Sequence, residues 1–150
     1  MATGGGEAVP VGANSRRLSG HLRVFDWEKK IPMADLYTLP SDYVRTVNFS
    51  PDSKRIYAGS FSYRDDGRSV AELRAFTTED WREAWTAKLG SSNPHDHTVS
   101  PDGMMIVVAD YDRLNVVDAL DGSVKGQLLR FRFYPEDRST PAAAGKKKEN

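Results

Sequence analysis

The segment Val44-Arg45-Thr46-Val47-Asn48-Phe49-Ser50-Pro51-Asp52 decides the fold, because the chain repeats its pattern. Ser100-Pro101-Asp102 copies the turn at an offset of 50 residues, counted from Ser50 to Ser100. An apolar strand follows each copy, over residues 56–60 and 106–110. Strand, tight turn, strand and a further strand make a β-meander. Repeats of about 40–50 residues with about four strands each are typical of β-propeller blades.

Composition excludes several functional classes. Lys and Arg (21) balance Asp and Glu (21), so no net field attracts nucleic acid or anionic lipid. The absence of cysteine excludes disulfides, thiolate catalysis and most structural zinc sites. No apolar run reaches the roughly 18–20 residues of a membrane helix, and no secretory signal is visible. We therefore expect a cytoplasmic or nuclear protein without a membrane partner.

Local composition predicts one ordered region with two tails. Residues 1–18 are rich in Gly, Ala and Ser, and ordering them costs about 1–2 kcal/mol each without apolar burial. We expect this segment to be disordered, residues 19–135 to form the blades, and residues 136–150 to be a disordered basic tail. Arg16-Arg17-Leu18-Ser19 matches the pattern of basic-directed kinases, which makes Ser19 a possible phosphosite.

The anchor segment also predicts a buried face. Val47 and Phe49 alternate with Thr46 and Asn48, so in a strand the two apolar side chains share one face. We expect Val47 and Phe49 to be buried. Arg64 falls in a polar hairpin tip and should be exposed.

Residues 81–89 admit two interpretations. Trp81, Trp85 and Leu89 stand at i, i+4 and i+8, which fits a helix face. The repeat favours a strand, because a blade needs a fourth strand here.

Several motifs together resemble the WD40 class of β-propeller, and more loosely the YVTN-type propellers. Residues 47–53 and 98–103 match the innermost strand and its turn, and residues 22–26, 73–76 and 114–118 match the third strand. Neither inner strand is preceded by the Gly-His pair of the family, so its hydrogen-bonded His-Asp-Ser-Trp network is absent and we expect packing alone to hold the blades. The resemblance implies an all-β fold, a partial propeller of four-stranded antiparallel blades.

The resemblance covers about two and a half blades, over residues 21–133, whereas a ring needs at least four. We therefore expect the chain to belong to a larger propeller, or to pair through open sheet edges with itself or another protein. Residues 21–27 and 127–133 are the predicted edges.

No catalytic constellation is present in the sequence, and we predict no enzyme activity, no cofactor and no metal site. His95 and His97 project to one face of a strand, as in two-His metal sites, but no Cys or third His accompanies them.

The predicted function is a non-enzymatic scaffold or adaptor in a multiprotein complex. Aromatic and Arg side chains concentrate at binding hot spots, which makes Trp81, Trp85, Arg130, Phe131 and Arg132 possible interaction residues. The alternative is a small-molecule or metal-binding YVTN-type propeller fragment of an enzyme.

Overall fold

A computed structural model describes residues 2–10, 16–40, 42–64, 66–90, 93–110 and 113–129. Within these ranges the protein is all β, as predicted, and contains no helix that could span a membrane. The strands are β1 (Ala2–Pro10), β2 (Arg16–Asp26), β3 (Ile31–Pro40), β4 (Asp42–Phe49), β5 (Arg55–Tyr63), β6 (Ser69–Thr77), β7 (Glu83–Gly90), β8 (Asp96–Val99), β9 (Met105–Ala109), β10 (Arg113–Asp118) and β11 (Val124–Leu129).

The described strands form three antiparallel sheets. Sheet A has the order β1-β2-β3, sheet B the order β4-β5-β6-β7, and sheet C the order β11-β10-β9-β8. Sheets B and C are four-stranded meanders, each built from one copy of the repeat, which confirms the predicted meander. The strand interpretation of residues 81–89 is also confirmed, because Glu83–Gly90 pairs with β6.

Sheet B is the middle layer of a stack. One face packs on sheet A through a core that includes Leu22 and Val24 of sheet A with Ile56 and Phe76 of sheet B. The other face packs on sheet C through a larger core, which contains Tyr57, Phe61, Ala71, Leu73, Ala75, Ala87, Leu89, Ile106, Val108, Val117 and Ala119. Strands β5 and β6 are therefore apolar on both faces, as expected for strands inside a stack.

The N-terminal segment differs from the expectation of disorder over residues 1–18. Ala2–Pro10 forms β1 and pairs along β2, with Gly4 opposite Leu22 and Gly6 opposite Gly20. Strand pairing uses backbone groups, so a glycine-rich segment can join a sheet without the apolar alternation that sequence reading requires. Residues 130–150, which include the predicted basic tail, lie outside the described residues.

The predicted sheet edges are half right. Residues 21–26 belong to β2, which lies between β1 and β3, so the prediction of an edge there is wrong. The prediction of an edge at residues 127–133 agrees with the structure as far as it is described, because β11 is an edge strand of sheet C among the described residues. Of residues 127–133, only 127–129 are described.

The prediction of a buried Phe49 is wrong, since its side chain is 38% exposed. The register of β4 against β5 shifts between Val44 and Thr46, where Arg45 is an extra residue. Such a bulge changes which side chains point to the core. Val44 and Thr46 are buried, and Val47 packs against the core at the A–B contact, so the alternation continues after the bulge. Phe49 is the last residue of β4, and its side chain is exposed although it pairs with the buried Ile56.

Candidate functional site: a groove between two repeated turns

The first Ser-Pro-Asp turn is closed by hydrogen bonds from its own side chains. The backbone N–H of Ser50 donates to the carbonyl of Arg55 at 2.9 Å, and the N–H of Arg55 donates to Ser50 Oγ at 2.9 Å. The Ser50 hydroxyl donates to Asp52 Oδ1 at 2.6 Å, and the N–H of Lys54 donates to the same oxygen at 3.0 Å. Ser50 and Asp52 thus satisfy the backbone groups that a tight turn leaves unpaired.

The second turn has the same bonds fifty residues later. The N–H of Met105 donates to Ser100 Oγ at 2.9 Å, and the N–H of Met104 donates to Asp102 Oδ1 at 2.9 Å. The Ser100 hydroxyl also donates to Asp102. The sequence repeat is therefore a repeat of hydrogen bonding as well as of residue type.

The two aspartates are held in their charged form. The hydroxyl of Ser50 donates to Asp52 and lowers the pKa of that carboxyl below its usual value. Ser100 lowers the pKa of Asp102 in the same way. Both turns therefore place a carboxylate at the surface near neutral pH.

Arg55 connects the first turn to the neighbouring sheet. Its guanidinium donates to the carbonyl of Leu120 at 3.0 Å and to that of Ala119, both in the turn between β10 and β11. Tyr57 lies behind it, with its hydroxyl 3.5 Å from the Ala119 carbonyl, and burial raises the pKa of that hydroxyl. These contacts join sheets B and C at the end where the turns lie.

An open groove of about 950 Å³ lies between the two turns. Its walls include Pro51, Asp52, Arg55, Met104, Asp118 and Leu120. Met104 is 66% exposed and Leu120 is 74% exposed, so two large apolar side chains stand in water beside the carboxylates. Lys54 lines the groove as well, so the groove combines exposed apolar surface with charged side chains of both signs.

A second polar contact joins the inner strands β4 and β8. The buried His97 ring bonds through Nδ1 to the hydroxyl of Thr46, and Asn48 Nδ2 donates to the His97 carbonyl at 2.7 Å. Burial lowers the pKa of His97 to about 4, so the ring is neutral near neutral pH. The expectation that packing alone holds the sheets together is wrong, because this contact and Arg55 both bridge neighbouring sheets.

The two histidines do not share an environment. His97 is buried between sheets, whereas His95 is exposed just before β8. Within the described part of the chain, no three His, Asp or Glu side chains are grouped as metal ligands would be.

The predicted interaction residues are separated in the structure. Trp81 packs at the margin of the A–B core, and Trp85 packs at the B–C core with its ring centroid 5.8 Å from that of Tyr57. Both tryptophans therefore belong to contacts between sheets. Ser19 lies in β2, and its phosphorylation stays a prediction. Arg130, Phe131 and Arg132 lie outside the described residues.

Sequence reading missed the groove. Arg55 and Leu120 are 65 positions apart, and no local pattern links a residue after one turn to a turn in the next repeat. The available signal was the repeat itself, which implies that equivalent turns of stacked sheets lie at the same end.

No model of a known protein family matches the chain, and no curated protein is significantly similar to it. The WD40 resemblance therefore stays a prediction from the motifs quoted above.

Proposed function

We propose that the protein is a non-enzymatic scaffold or adaptor, a WD40-like propeller segment that binds other proteins. The observation that supports this most is the groove between the two Ser-Pro-Asp turns, with Met104 and Leu120 exposed at its rim. Exposed apolar side chains rimmed by polar groups are typical of protein-binding sites.

The groove favours one kind of partner. The turns contribute the carboxylates of Asp52 and Asp102, whose pKa values the serine hydroxyls lower. Of the two cations that line the groove, Arg55 bonds to backbone carbonyls and Lys54 lies beside Asp52, which leaves the carboxylate of Asp102 for a basic side chain of a partner. An extended segment with an apolar side chain next to a Lys or Arg would match the apolar rim and the carboxylates. We propose such a segment of a partner protein as the ligand.

The same carboxylates argue against acid–base catalysis in the groove. A general acid near neutral pH needs a raised carboxyl pKa, whereas the pKa values of Asp52 and Asp102 are lowered. Their oxygens also accept the hydrogen bonds that close the turns. Their arrangement is that of structural acceptors that also provide surface charge.

Selection from a random dodecapeptide display library tests this proposal. We expect the selected peptides to pair an apolar residue with a basic one, and the double variant Met104→Ser, Leu120→Ser to weaken their binding about tenfold or more. Asp52→Asn with Asp102→Asn should also weaken binding, but less, because it removes only the two charges. The turns should stay folded, since Asn keeps the acceptor oxygen that each turn needs.

Met33→Ser is the matched control, since Met33 is exposed on sheet A, away from the groove. Peptides that bind the groove variants as tightly as the original protein would contradict the proposal. So would a selection that yields no binding peptide.

A further inference from the structure

The two outermost faces of the stack have counterparts inside it. When the repeats are aligned by their turns, Leu22 of β2, Leu73 of β6 and Leu114 of β10 are equivalent. Each of these leucines lies four residues before the last residue of its strand, which is Asp26, Thr77 or Asp118. The turn after each strand is also alike, because its fourth residue has a positive φ, at Lys30, Trp81 and Gly122. The environment of any face can therefore be compared with that of its equivalents.

The outer face of sheet C is the first of these faces. It consists of Val107, Leu114, Val116 and Leu128. Val107 and Val116 pair with each other and alternate along their strands with Ile106, Val108 and Val117, which face sheet B. Leu114 is two residues from Val116 on the same face, and it pairs with Leu128. Its equivalents on sheet B are Tyr57, Leu73, Ala75 and Ala87, all buried against sheet C. The same positions on sheet C remain partly exposed, and Leu128 is 55% exposed.

The outer face of sheet A is the second. It consists of Arg23, Phe25, Met33 and Asp35, opposite to the face that packs on sheet B. Arg23 Nε lies 3.1 Å from Asp35 Oδ2, with both side chains 50% exposed. Met33 is 51% exposed.

Its equivalent on sheet B shows that such a polar face packs well when it is covered. Arg74, the counterpart of Arg23, lies 2.6 Å from Glu72 and 2.9 Å from Glu83 on the face toward sheet A. The side chains of Arg74 and Glu72 are only 16% and 10% exposed. An arginine–carboxylate cluster beside an aromatic ring is thus covered in the A–B contact, where Phe76 is the counterpart of Phe25.

We propose that a second copy of this chain covers both faces, with the outer face of sheet C of each copy on the outer face of sheet A of the other. The contact would reproduce the two that the chain already makes, A on B and B on C. Two copies of the three sheets that the described residues form would close a ring of six, within the four to eight sheets of closed propellers. Such a pair has two identical contacts and no free outer face, as a closed symmetric dimer requires.

This inference does not rest on the proposed function, since the groove is formed by sheets B and C of one copy. It also differs from pairing through strand edges, because the contact joins faces and needs no new backbone hydrogen bonds.

Sedimentation velocity over a dilution series tests the proposal on the full chain. We expect a dimer of twice 16.7 kDa. Leu128→Glu and Met33→Glu should each raise the dimer dissociation constant at least about 100-fold, because both contacts would then bury an unpaired carboxylate. Met104→Glu is the matched control: Met104 is even more exposed, at 66%, but lies in the groove, so this variant should remain a dimer.

A mixture of the two variants gives the sharpest test. In a mixed pair, the intact sheet A of the Leu128→Glu chain meets the intact sheet C of the Met33→Glu chain. One contact is restored, and we expect a mixed dimer to form although neither variant dimerises alone. The proposal would be overturned if the mixture stays monomeric or if the original protein is a monomer. It would also be overturned if Leu128→Glu breaks the dimer and Met33→Glu does not. Growth into longer assemblies would overturn the closed ring.

Cross-linking keeps the test valid if a glutamate variant does not fold. The chain has no cysteine, so Met33→Cys and Leu128→Cys each introduce a single thiol. A short bis-maleimide added to the mixed variants should join them to each other more than either to itself. Equal or preferential joining of like variants would contradict the head-to-tail arrangement.

Discussion

Sheets B and C come from two copies of one repeat, yet they differ in how much of them is buried. Leu73 in sheet B is fully buried, whereas the equivalent Leu114 in sheet C is partly exposed. Both are leucines in the third strand of a meander. Their burial therefore depends on whether another sheet covers the face, and residue type alone does not determine it.

Leu73→Ala should give the largest loss of unfolding free energy, and a larger one than Leu114→Ala at the equivalent position of sheet C. Truncation of a buried leucine costs about 2–5 kcal/mol of unfolding free energy, and we expect roughly half of that or less at Leu114. Urea denaturation measures both, in the Met33→Glu background where the proposed dimer is absent. Equal losses would mean that the two faces are equally covered within one chain.

The inner strands should differ in their response to acid. His97 in β8 stands where the first repeat has Val47, fifty residues earlier. Burial lowers the pKa of His97 from 6.5 to about 4, so the unfolded chain binds a proton more readily than the folded one between these values. The stability that the neutral ring contributes is complete above pH 6.5 and is lost as the pH falls towards 4, by about 3 kcal/mol in total.

Denaturation midpoints from pH 7.5 to 4 measure this loss. The control is His97→Val, which copies the residue of the first repeat and should flatten the profile over the same range. An unchanged slope in that variant would assign the acid sensitivity to other groups.

The two Ser-Pro-Asp turns should give the smallest difference. Ser53 and Gly103 occupy the same position with φ values of 59° and 74°. Gly103→Ser should cost about 1 kcal/mol, because a side chain is strained at positive φ. A Cβ at this position would lie 3.7 Å from Pro51, an ordinary contact, so no clash adds to the cost.

Ser53→Gly should stabilise the fold by less than Gly103→Ser destabilises it, since glycine also loses more freedom on folding. Thermal denaturation of the two variants compares these effects. A stabilising Gly103→Ser would show that the turns differ in more than residue type.

The features that could be predicted from the sequence are those that depend on neighbouring residues in the chain. The Ser-Pro-Asp turns and the alternating strands around them were found because turn residues and apolar period are local properties. The glycine-rich β1 was missed since backbone pairing leaves no such pattern. Phe49 was misplaced because alternation along β4 gives only the face on which a side chain lies, whereas its burial depends on how far a neighbouring sheet covers that face. The groove depends on contacts between repeats, such as Arg55 with Leu120, which no single segment encodes.

Gly122 has a consequence for how this sequence can change over evolutionary time. A Cβ at Gly122 would lie 2.5 Å from Cε3 of Trp85, which belongs to the preceding sheet. The equivalent position in sheet B is Trp81, so a large side chain is compatible with the turn itself. Position 122 is therefore restricted by its neighbour as well as by its backbone. In homologous chains, a larger residue at 122 should accompany a smaller one at 85, and these two positions should covary.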